Sequence, residues 1–230
     1  MTRLTGQERA AYVQNMFTQI ARRYDLMNRL MTGGQDVRWR NQVIELARLN
    51  SDSSLLDLGT GTGDLAREAL AQFPQARLIA ADFTLEMMRV GQKRGALDFS
   101  SADALHLPFD ASSFDAVVSG FLMRNVIDLQ KALEEQYRLL KDGGRIVILD
   151  TTRPKKNMLS PFIWLHMHFI IPTLGGLLTG VKEAYRYLPE TTEGFVTAEE
   201  MAARMAAAGF RKVSYRRFMF GTIAIHWGEK

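Results

Sequence analysis

The chain has 230 residues, of which 47% are hydrophobic and 23% charged, and none is cysteine. This composition is typical of a globular domain and excludes disulfides, thiol catalysis and cysteine-ligated metals. The formal net charge of +4 permits contact with anionic lipid or nucleic acid but requires neither.

The N-terminal part of the chain is predicted to be helical over roughly residues 8–49, with a second helix over about 36–49. The first helix carries one apolar face at spacings of three and four residues, formed by Val13, Phe17, Ile20 and Tyr24. No apolar run of signal-peptide length opens the chain, so we predict a cytoplasmic protein. We treat residues 1–230 as a single domain, in which residues 1–50 form a helical cap.

From Ser53 onward, short apolar runs alternate with amphipathic stretches. Asp64 to Gln72 is predicted to be a crossover helix, and a later helix opens at Asp128 and is stopped by Gly143 and Gly144. Five runs are predicted to be strands: SLLDL, ARLIAAD, ALDFSSAD, FDAVVSG and GRIVILD. Alternating strands and helices predict a mostly parallel sheet with right-handed crossovers.

The C-terminal part has a different pattern. Thr197 and Glu200 occupy capping-box positions of a helix, and Gly209 is placed to stop it. Two strand candidates follow, VSYRRFM and TIAIHW, joined by a short Phe-Gly link that suggests an antiparallel hairpin. The predicted fold class is therefore α/β, a Rossmann-like doubly wound sheet of seven strands with N-terminal helices and a C-terminal antiparallel hairpin.

Three glycines follow the first strand in LDLGTGTGDL, namely Gly59, Gly61 and Gly63. The spacing differs from the dinucleotide pattern G-x-G-x-x-G, and Asp64 adds a carboxylate that would repel a pyrophosphate. We therefore predict S-adenosyl-L-methionine, an adenosine ligand without phosphates that carries an ammonium and a sulfonium. A tight turn that binds no ligand is the alternative.

Three carboxylates lie in or after successive strands of the predicted sheet. Asp82 ends the second strand and is expected to accept hydrogen bonds from the ribose hydroxyls. Asp103 follows the third strand and is placed to reach the adenine amino group. Asp57, inside the first strand, is predicted to hold the methionine ammonium directly or through water. Ligands of such sheets bind at the carboxyl ends of the strands, so these features predict one site.

The chain resembles the C-methyltransferases of menaquinone and ubiquinone biosynthesis, within the class I S-adenosylmethionine-dependent methyltransferases. The likeness covers nearly the whole chain and is carried by YDLMNRLMTGG, RWR, LDLGTGTGDL, ADFTLEMM, LPF, FLMRNVID and AYRYLPET. It implies a prenylated quinol as methyl acceptor, with demethylmenaquinol favoured and a benzoquinol of the ubiquinone pathway left open. Nothing in the sequence indicates an oligomeric state.

The resemblance also assigns cofactor-binding positions and shows where this chain departs from the family. Matching positions are Thr62, Asp82, Asp103 and Ala104, to which we add the neighbouring Phe83 and Gly120. The family's usual FGLRN is FLMRN here, and Leu122 and Met123 are expected to enlarge the apolar surface. The common LEFSKP is LDTTRP, and Gly120 stands where some members have serine.

An apolar segment supports a lipid-like acceptor independently. Residues 158–181 contain no charged residue, but Pro172 and two adjacent glycines interrupt them, so we reject a transmembrane helix. We predict that residues 155–195 form an apolar lid around a prenyl tail. Lysines at both ends suggest peripheral contact with anionic lipid at the inner face of the membrane, namely Lys155, Lys156 and Lys182. Helices that merely pack on the sheet are the alternative.

Candidate catalytic residues follow from the need for an electron-rich ring. Loss of a phenolic proton makes a quinol ring carbon more nucleophilic, and a cation would stabilise the phenolate. Arg124, supported by Asn125, is predicted to hold the phenolate or to orient a water. Its permanent charge makes it a poor base, and a salt bridge to the lid is the alternative role.

Histidines and tyrosines of the lid provide further candidates. His166 and His168 are alternative bases, because histidine titrates near neutral pH. The pair would bind a metal only on a strand, and with no cysteine in the chain we expect no metal site. Tyr185 and Tyr187 are predicted to line the pocket, although core tyrosines are common.

Other functions remain as alternatives. A nucleic-acid methyltransferase that acts on an amine is disfavoured, because SGFLMRN stands where an Asn/Asp-Pro-Pro-aromatic stretch is expected. One that methylates cytosine C5 in RNA is disfavoured, because it commonly uses a cysteine nucleophile and the chain has none. We therefore predict no nucleic-acid partner. A methyltransferase of the same fold that acts on another lipid or small molecule differs only in its acceptor pocket. A module that binds quinone or S-adenosylmethionine without turnover is the non-enzymatic alternative.

Overall fold

The computed structural model describes residues 6–154, 160–165, 168, 169, 173 and 182–230; within 160–165 and 182–193, several side chains also lie outside the description. The N-terminal part is helical as predicted, but in more segments. Helix α1 runs over Gly6–Ile20, and a 3-10 turn at Ala21–Arg23 leads directly into α2, Tyr24–Met31. Helix α3, Gln35–Ala47, begins after Gly34, whose φ of 78° lies in the left-handed region. Helix α3 therefore corresponds to the second helix that the sequence predicted, and the first predicted helix is divided by the 3-10 turn into α1 and α2.

The first half of the sheet follows the predicted alternation closely. Strand β1, Ser54–Leu58, is followed by α4, Asp64–Gln72, with the predicted bounds. Strand β2, Arg77–Asp82, leads into α5, Leu85–Gln92, a helix that the sequence analysis did not identify. Strand β3 is short, Phe99–Ser101, and leaves Asp103 in the loop beyond it.

The second half of the sheet contains one correction to the predicted boundaries. Strand β4 is Phe114–Gly120, and α6 is Leu129–Leu139, capped by Asp128 Oδ1, which accepts from Lys131 N at 3.0 Å. Strand β5 begins at once, over Leu140–Thr151, so Gly143 and Gly144 do not stop the helix. They lie within the strand, where Gly143 has a φ of 77° and allows a local turn.

After β5 come α7, Ser160–Leu165, and α8, Lys182–Glu193. Helix α9, Ala198–Ala207, has the predicted capping box: Thr197 Oγ1 accepts from Glu200 N, and the Glu200 carboxylate accepts from Thr197 N. Strands β6, Arg211–Phe218, and β7, Ile223–Glu229, form the predicted antiparallel hairpin.

Seven described strands form one sheet in the order β3-β2-β1-β4-β5-β7-β6. Strands β1 to β5 are parallel, and β7 lies antiparallel between β5 and β6. The predicted doubly wound fold with a C-terminal antiparallel hairpin is therefore confirmed. Among the helices in the described ranges, none is long and apolar enough to cross a membrane.

Apolar side chains pack on both faces of the sheet because the central parallel strands are covered on both sides. One face packs against α6 and α9, through residues such as Leu133 and Met201. The other packs against α3 and α4, through residues such as Trp39 and Leu65. These two layers fix the strand ends from which the candidate site is built.

Candidate functional site

A pocket opens at the carboxyl ends of β1, β2 and β4, the edge at which the sequence analysis placed the ligand. It contains about 930 Å³ of space not filled by atoms, solvent at its mouth included. Eight of the predicted site residues line it: Gly59, Gly61, Asp82, Phe83, Asp103, Ala104, Gly120 and Asn125.

The glycine turn after β1 forms the floor of this pocket. Gly59 and Gly61 have φ angles of 69° and 59°, and a Cβ on Gly61 would lie 3.1 Å from Met87 Cε and face Tyr24 across the pocket. The amides of Gly59 and Thr60 donate to Ala81 O at 2.8 and 3.0 Å. Because these N–H groups are already used, the turn does not offer them to a phosphate.

Asp82 lies at the carboxyl end of β2, beside the turn. Its Oδ2 accepts from Gly61 N at 2.8 Å and its Oδ1 from Thr84 N at 2.7 Å. Burial raises the pKa of the Asp82 carboxyl group, although these backbone hydrogen bonds act in the opposite direction. Each oxygen keeps a free lone pair, so the carboxylate can still accept hydrogen bonds from a diol in the pocket.

The loop after β3 forms the wall next to Asp82. Asp103 Oδ1 accepts from Leu105 N at 2.9 Å, while about half of its side chain remains exposed. Ala104 lines the same wall, and Phe83 and Met87 add apolar surface opposite it. A planar, apolar ring with a polar edge fits this end of the pocket.

Asp57 lies behind the glycine turn rather than on the pocket surface. Its Oδ2 accepts from Thr60 Oγ1 at 2.6 Å and from Ala66 N at 3.0 Å, which ties the turn to α4. Its Oδ1 is buried and has no hydrogen-bond partner among the residues that the structure describes. Burial raises the pKa of Asp57 to about 7. Direct contact of Asp57 with a ligand is therefore not part of this geometry, and contact through water remains a prediction.

The sequence argument from Asp64 is wrong in its physical basis. Asp64 does not face the pocket, because its Oδ2 pairs with Arg40 Nη1 at 2.7 Å and its Oδ1 with Arg94 Nη1 at 2.8 Å. Its charge is compensated and cannot repel a phosphate in the pocket. The turn disfavours a phosphate for a different reason: its backbone amides already donate hydrogen bonds within the protein.

Thr62 and Gly63 also face away from the pocket. Thr62 Oγ1 donates to Asp25 Oδ1 at 2.7 Å and accepts from Arg94 Nη1 at 3.2 Å, so it joins the turn to α2. Gly63 has a φ of 89°, and a Cβ there would meet Arg67 Nη1 at 2.5 Å. Both residues shape the turn, and a direct contact with a ligand remains a prediction for each.

Arg124 is nearly buried at the end of the loop after β4. Its Nη1 pairs with Asp150 Oδ1 at 2.7 Å, and its backbone N–H donates to Asp150 Oδ2 at 3.2 Å. The guanidinium also lies over the ring of Phe121, 5.2 Å from the centroid. Among the described residues, the salt bridge of Arg124 is thus made to Asp150 of β5, and Arg124 lies behind the pocket wall.

Asn125 is the polar residue of this loop that does line the pocket. Its Nδ2 donates to Phe121 O at 3.1 Å, and its Oδ1 accepts from the Tyr187 hydroxyl at 3.3 Å. This bond connects α8 to the pocket wall. The side chain of Tyr185 lies outside the described residues, although its backbone belongs to α8.

The candidate histidine bases have no described place in the pocket. His166 lies outside the described residues. His168 stacks on Trp164, with ring centroids 4.9 Å apart, and its Nε2 lies 3.5 Å from Glu193 Oε1. It is not among the pocket-lining residues.

Helix α1 covers the pocket with the face that the sequence analysis identified as apolar. Val13 and Phe17 line the pocket, and Tyr24 of α2 joins them through an edge-to-face contact with Phe17 at 5.7 Å. Gln14 Nε2 donates to Phe83 O at 3.0 Å, and Arg9 Nη2 donates to Arg124 O at 2.8 Å. These two bonds fix α1 to opposite sides of the pocket.

Tyr24 is a site residue that the sequence analysis missed. Its hydroxyl lies within electrostatic range of both Arg124 and Asp82, and burial raises the pKa of this hydroxyl. The available signal was its position in the YDLMN motif and at the end of the apolar face. The periodicity showed an apolar face but not that this face covers a pocket.

Leu122 and Met123, the two residues of FLMRN that depart from the family's usual sequence, lie in different environments. Leu122 lines the pocket, whereas Met123 is buried in the core, where Gln136 Nε2 lies 3.5 Å from its Sδ. The expectation that both residues enlarge the apolar pocket surface is therefore wrong for Met123. Leu122 lies directly against Gly59, since a Cβ on that glycine would be 2.9 Å from two Leu122 carbons.

The family profile and the curated relatives that match this chain indicate the same family. A profile described as the ubiE/COQ5 methyltransferase family matches residues 4–230. The chain is 45% identical to the ubiquinone/menaquinone biosynthesis C-methyltransferase UbiE of Desulfotalea psychrophila, over 95% of this chain and 90% of the relative. It is 43% identical to the demethylmenaquinone methyltransferase of Thermus thermophilus, over 94% of this chain and 100% of the relative.

Solved structures show the same fold at low sequence identity. The [4+2]-cyclase SpnF has a TM-score of 0.70 and 16% identity, with 98% of this chain and 96% of that chain covered. A Thermotoga maritima S-adenosylmethionine-dependent methyltransferase, described as a possible histamine N-methyltransferase, has a TM-score of 0.64 and 19% identity, with 94% and 98% covered. At these identities the similarity concerns the fold alone.

Proposed function

The chain belongs to the ubiE/COQ5 methyltransferase family, and on that premise we propose that it methylates a ring carbon of a reduced prenylated quinone. The methyl donor is S-adenosyl-L-methionine, as in the family. We propose demethylmenaquinol as the acceptor, because relatives at 43% and 40% identity bear the name demethylmenaquinone methyltransferase. The alternative acceptor is a demethylated benzoquinol, which the name of the 45% identical relative also allows.

One observation carries this proposal: a single pocket at the strand ends is lined by carboxylates and by apolar side chains together. The carboxylates are Asp82 and Asp103, and the apolar side chains include Val13 and Phe17 of α1 and Leu122. A methyl transfer needs donor and acceptor in line and close together, with water excluded. One pocket with both kinds of lining provides for a polar donor and an apolar acceptor side by side.

The residues present fit the donor. Asp82 keeps lone pairs for two ribose hydroxyls, and Asp103 keeps an exposed oxygen for the adenine amino group. The buried, unpartnered Oδ1 of Asp57 provides an acceptor for an ammonium through water. A Cβ at Gly61 would project toward Met87 and Tyr24, so the glycine keeps this part of the pocket open.

The chemistry balances without a redox partner. S-adenosyl-L-methionine supplies an electrophilic methyl group, so the methyl–sulfur bond breaks, a carbon–carbon bond forms and the ring releases one proton. The chain's task is to orient the quinol and to stabilise the negative charge that develops on its oxygen. Asn125 and Tyr24 are two polar groups of the pocket lining that we propose for this task. Because burial raises the Tyr24 pKa, this hydroxyl stays protonated and can donate to a phenolate.

Arg124 acts from behind the pocket wall. Its salt bridge with Asp150 compensates its charge and holds it away from direct contact with an acceptor. We propose that it holds the Phe121–Asn125 loop in place. It is therefore a positioning residue and not a base.

The experiment that tests the function is an anaerobic assay with methyl-labelled S-adenosyl-L-methionine and chemically reduced demethylmenaquinol. Extracted quinones are analysed by mass spectrometry for a labelled methyl on the naphthoquinone ring. Presenting the acceptor in vesicles with and without anionic lipid also tests peripheral membrane contact, motivated by the exposed Trp164, Leu165 and Phe169. Binding of the donor without methyl transfer to either quinol would contradict the proposal.

Arg124→Lys tests the role of the buried arginine. Lysine keeps the positive charge and the backbone hydrogen bond to Asp150, but it loses the planar guanidinium that lies over the Phe121 ring, so we expect kcat to fall by about tenfold or more. We expect the Kd for S-adenosyl-L-methionine to stay within about threefold, as measured by calorimetry. Alanine is less informative, because an unpaired buried Asp150 costs about 3–5 kcal/mol of stability. Arg153→Lys, at an exposed pair with Glu200, is the matched control, and equal kcat values for the two variants would contradict the role.

A further inference from the structure

Arg67 of α4 connects the glycine turn to α5, two parts of the chain that line the pocket. Its Nη1 donates to Thr62 O at 2.9 Å and to Gly63 O at 3.1 Å, both in the turn. Its Nη2 donates to Gly91 O at 2.6 Å and to Gly95 O at 3.2 Å, at and just beyond the end of α5. One guanidinium therefore holds four carbonyl oxygens, two on each side.

Two glycines leave the space that this connection needs. A Cβ on Gly63 would lie 2.5 Å from Arg67 Nη1, where the guanidinium now sits. A Cβ on Gly91 would lie 2.6 Å from Thr62 O, a backbone atom that cannot move unless the turn moves. The turn and α5 thus approach each other closely because both positions lack a side chain, and Arg67 joins them.

This connection fixes the width of the pocket beside Gly61. Gly61 belongs to the turn and Met87 to α5, and both line the pocket. A Cβ on Gly61 would be 3.1 Å from Met87 Cε, so a shift of α5 would change this spacing directly. A ligand that touches both sides binds more weakly if it must first bring them into place, because that ordering costs binding free energy.

We propose that Arg67 is a positioning residue for the methyl donor: it joins the glycine turn to α5 and so holds the pocket at the width that S-adenosyl-L-methionine requires. This inference rests on the proposed function, in which the donor occupies this pocket, and adds a residue that does not line it. The shape of the guanidinium matters more than its charge, because one nitrogen holds the turn and the other holds α5.

The test measures the Kd for S-adenosyl-L-methionine by calorimetry for the wild-type protein, Arg67→Lys and Arg67→Met. Methionine keeps an unbranched side chain but donates to no carbonyl, so we expect the Kd to rise by about tenfold, the effect of losing one hydrogen bond to a charged group. Lysine has one nitrogen in place of two and should give an intermediate Kd. At saturating donor, kcat and the KM for the quinol should stay within about threefold of wild type.

Hydrogen exchange separates positioning from a general loss of stability. In donor-free Arg67→Met, exchange over residues 59–63 and 85–95 should be faster than in the wild-type protein. Saturating S-adenosyl-L-methionine should remove this difference, because the bound donor then holds both sides itself. A difference that persists at saturating donor would contradict the positioning role.

Gly91→Ala disturbs the same connection from the side of α5. The added methyl group lies too close to Thr62 O, so α5 must move away from the turn and the Kd for the donor should rise. Because both changes act on one contact, Arg67→Met combined with Gly91→Ala should bind about as well as the weaker-binding single variant. Effects that multiply fully in the double variant would overturn the inference.

Arg145→Met is the matched control. Arg145 is buried near the amino end of the parallel part of β5, far from the pocket end of the sheet, and its Nη1 donates to Leu46 O at 3.1 Å. Burial lowers the pKa of both arginines. The control should lower stability but leave the donor Kd unchanged. An equal rise in Kd for Arg145→Met and Arg67→Met would show that loss of stability alone weakens binding.

The failure of this inference can be distinguished from failure of the proposed function. If the wild-type protein binds the donor and methylates a quinol while Arg67→Met keeps the wild-type Kd, the positioning role is wrong and the proposed function stands. If the wild-type protein binds no S-adenosyl-L-methionine, both fail together. If Arg67→Met does not fold, Arg67→Lys and Gly91→Ala carry the same test with smaller shifts.

Discussion

At Asp57, an ionised carboxylate should favour binding of the donor but lowers the stability of the free protein. The carboxyl group is fully buried, and burial raises its pKa to about 7 from 3.8. Between these two values the folded protein holds a proton that the unfolded chain has released, so stability falls as the pH rises through this window. Above pH 7 the ionised group costs the folded protein up to about 4 kcal/mol in the absence of a cationic ligand.

Replacement of Asp57 by asparagine should therefore stabilise the free protein and weaken the donor site. Without S-adenosyl-L-methionine, we expect a higher melting temperature than wild type at pH 8.5 and a much smaller difference at pH 5. We expect the Kd for S-adenosyl-L-methionine to rise by about tenfold or more, because no carboxylate remains to attract the ammonium. Thermal scans and calorimetry measure both. An unchanged Kd would mean that Asp57 only shapes the turn.

Residues of one sequence motif can face different environments, so a motif alone does not show which of its side chains line the pocket. The GxG spacing and the strand-end carboxylates correctly predicted that Gly59, Gly61, Asp82 and Asp103 line one pocket. The spacing could not show that Thr62 and Asp64 turn toward α2 and α3, because their partners lie elsewhere in the sequence. The same holds for Arg124, whose partner Asp150 is 26 positions away.

Among the helices, α2 is tied to the glycine turn by charged groups. Asp25 Oδ2 pairs with Arg94 Nη1 at 2.6 Å, and Arg94 Nη1 also lies 2.8 Å from Asp64 Oδ1. Thr62 adds the hydrogen bond to Asp25. Since Tyr24 directly precedes Asp25 on α2, this network holds a pocket wall against the glycine turn.

Asp25→Ala should loosen this wall. Exposed ion pairs contribute about 0–1 kcal/mol each, so we expect a modest loss of stability, about 1 kcal/mol, but a Kd for S-adenosyl-L-methionine raised by about three- to tenfold. Hydrogen exchange should become faster over residues 6–31, the span of α1 and α2. Salt at 0.5 M should weaken donor binding of the wild type more than that of the variant.

Glu86→Ala is the matched control for Asp25. Glu86 pairs with Arg89 within α5 at 3.4 Å, next to the same pocket, but the pair connects no two elements. It should change neither donor affinity nor exchange in α1 and α2. Equal behaviour of the two variants would show that α2 is held by its apolar contacts alone.

Element boundaries show where sequence patterns fail for helices and strands. The spacing of Val13, Phe17 and Tyr24 correctly predicted an apolar helix face. It could not show whether this face lines a pocket or packs in the core, because both have the same periodicity. Gly143 and Gly144 looked like a helix stop, because a left-handed turn serves a helix end and an irregular strand equally well. Helix α5 was missed because its few apolar positions lie between two stronger strand signals.

Across the whole molecule, two buried groups give stability opposite dependences on pH. The Nε2 of His226 in β7 donates to Ala198 O at 3.0 Å, and its Nδ1 has no hydrogen-bond partner within the described ranges. Burial lowers the His226 pKa to about 4 from 6.5. The unfolded chain therefore takes up a proton first as the pH falls, and stability decreases from pH 6.5 toward pH 4, where protonation of Asp57 acts in the other direction.

His226→Gln should remove the contribution of His226 to the pH dependence of stability and leave that of Asp57. The free energy of unfolding of the variant, relative to wild type, should improve by about 3 kcal/mol between pH 6.5 and pH 4. Urea denaturation at several pH values measures the difference. A pH-independent difference between His226→Gln and wild type would contradict the assigned protonation behaviour.

The position of β7 has a consequence for biosynthesis. Of the described strands it is the last to be translated, yet it pairs with β5 and β6 on either side and not at the edge of the sheet. Until β7 leaves the ribosome, β5 presents a long unpaired edge of apolar residues, which is the kind of surface that chaperones bind and that nascent chains use to aggregate. Ribosome stalling just before β7 should therefore leave a nascent chain whose other strands are complete but whose sheet is still open.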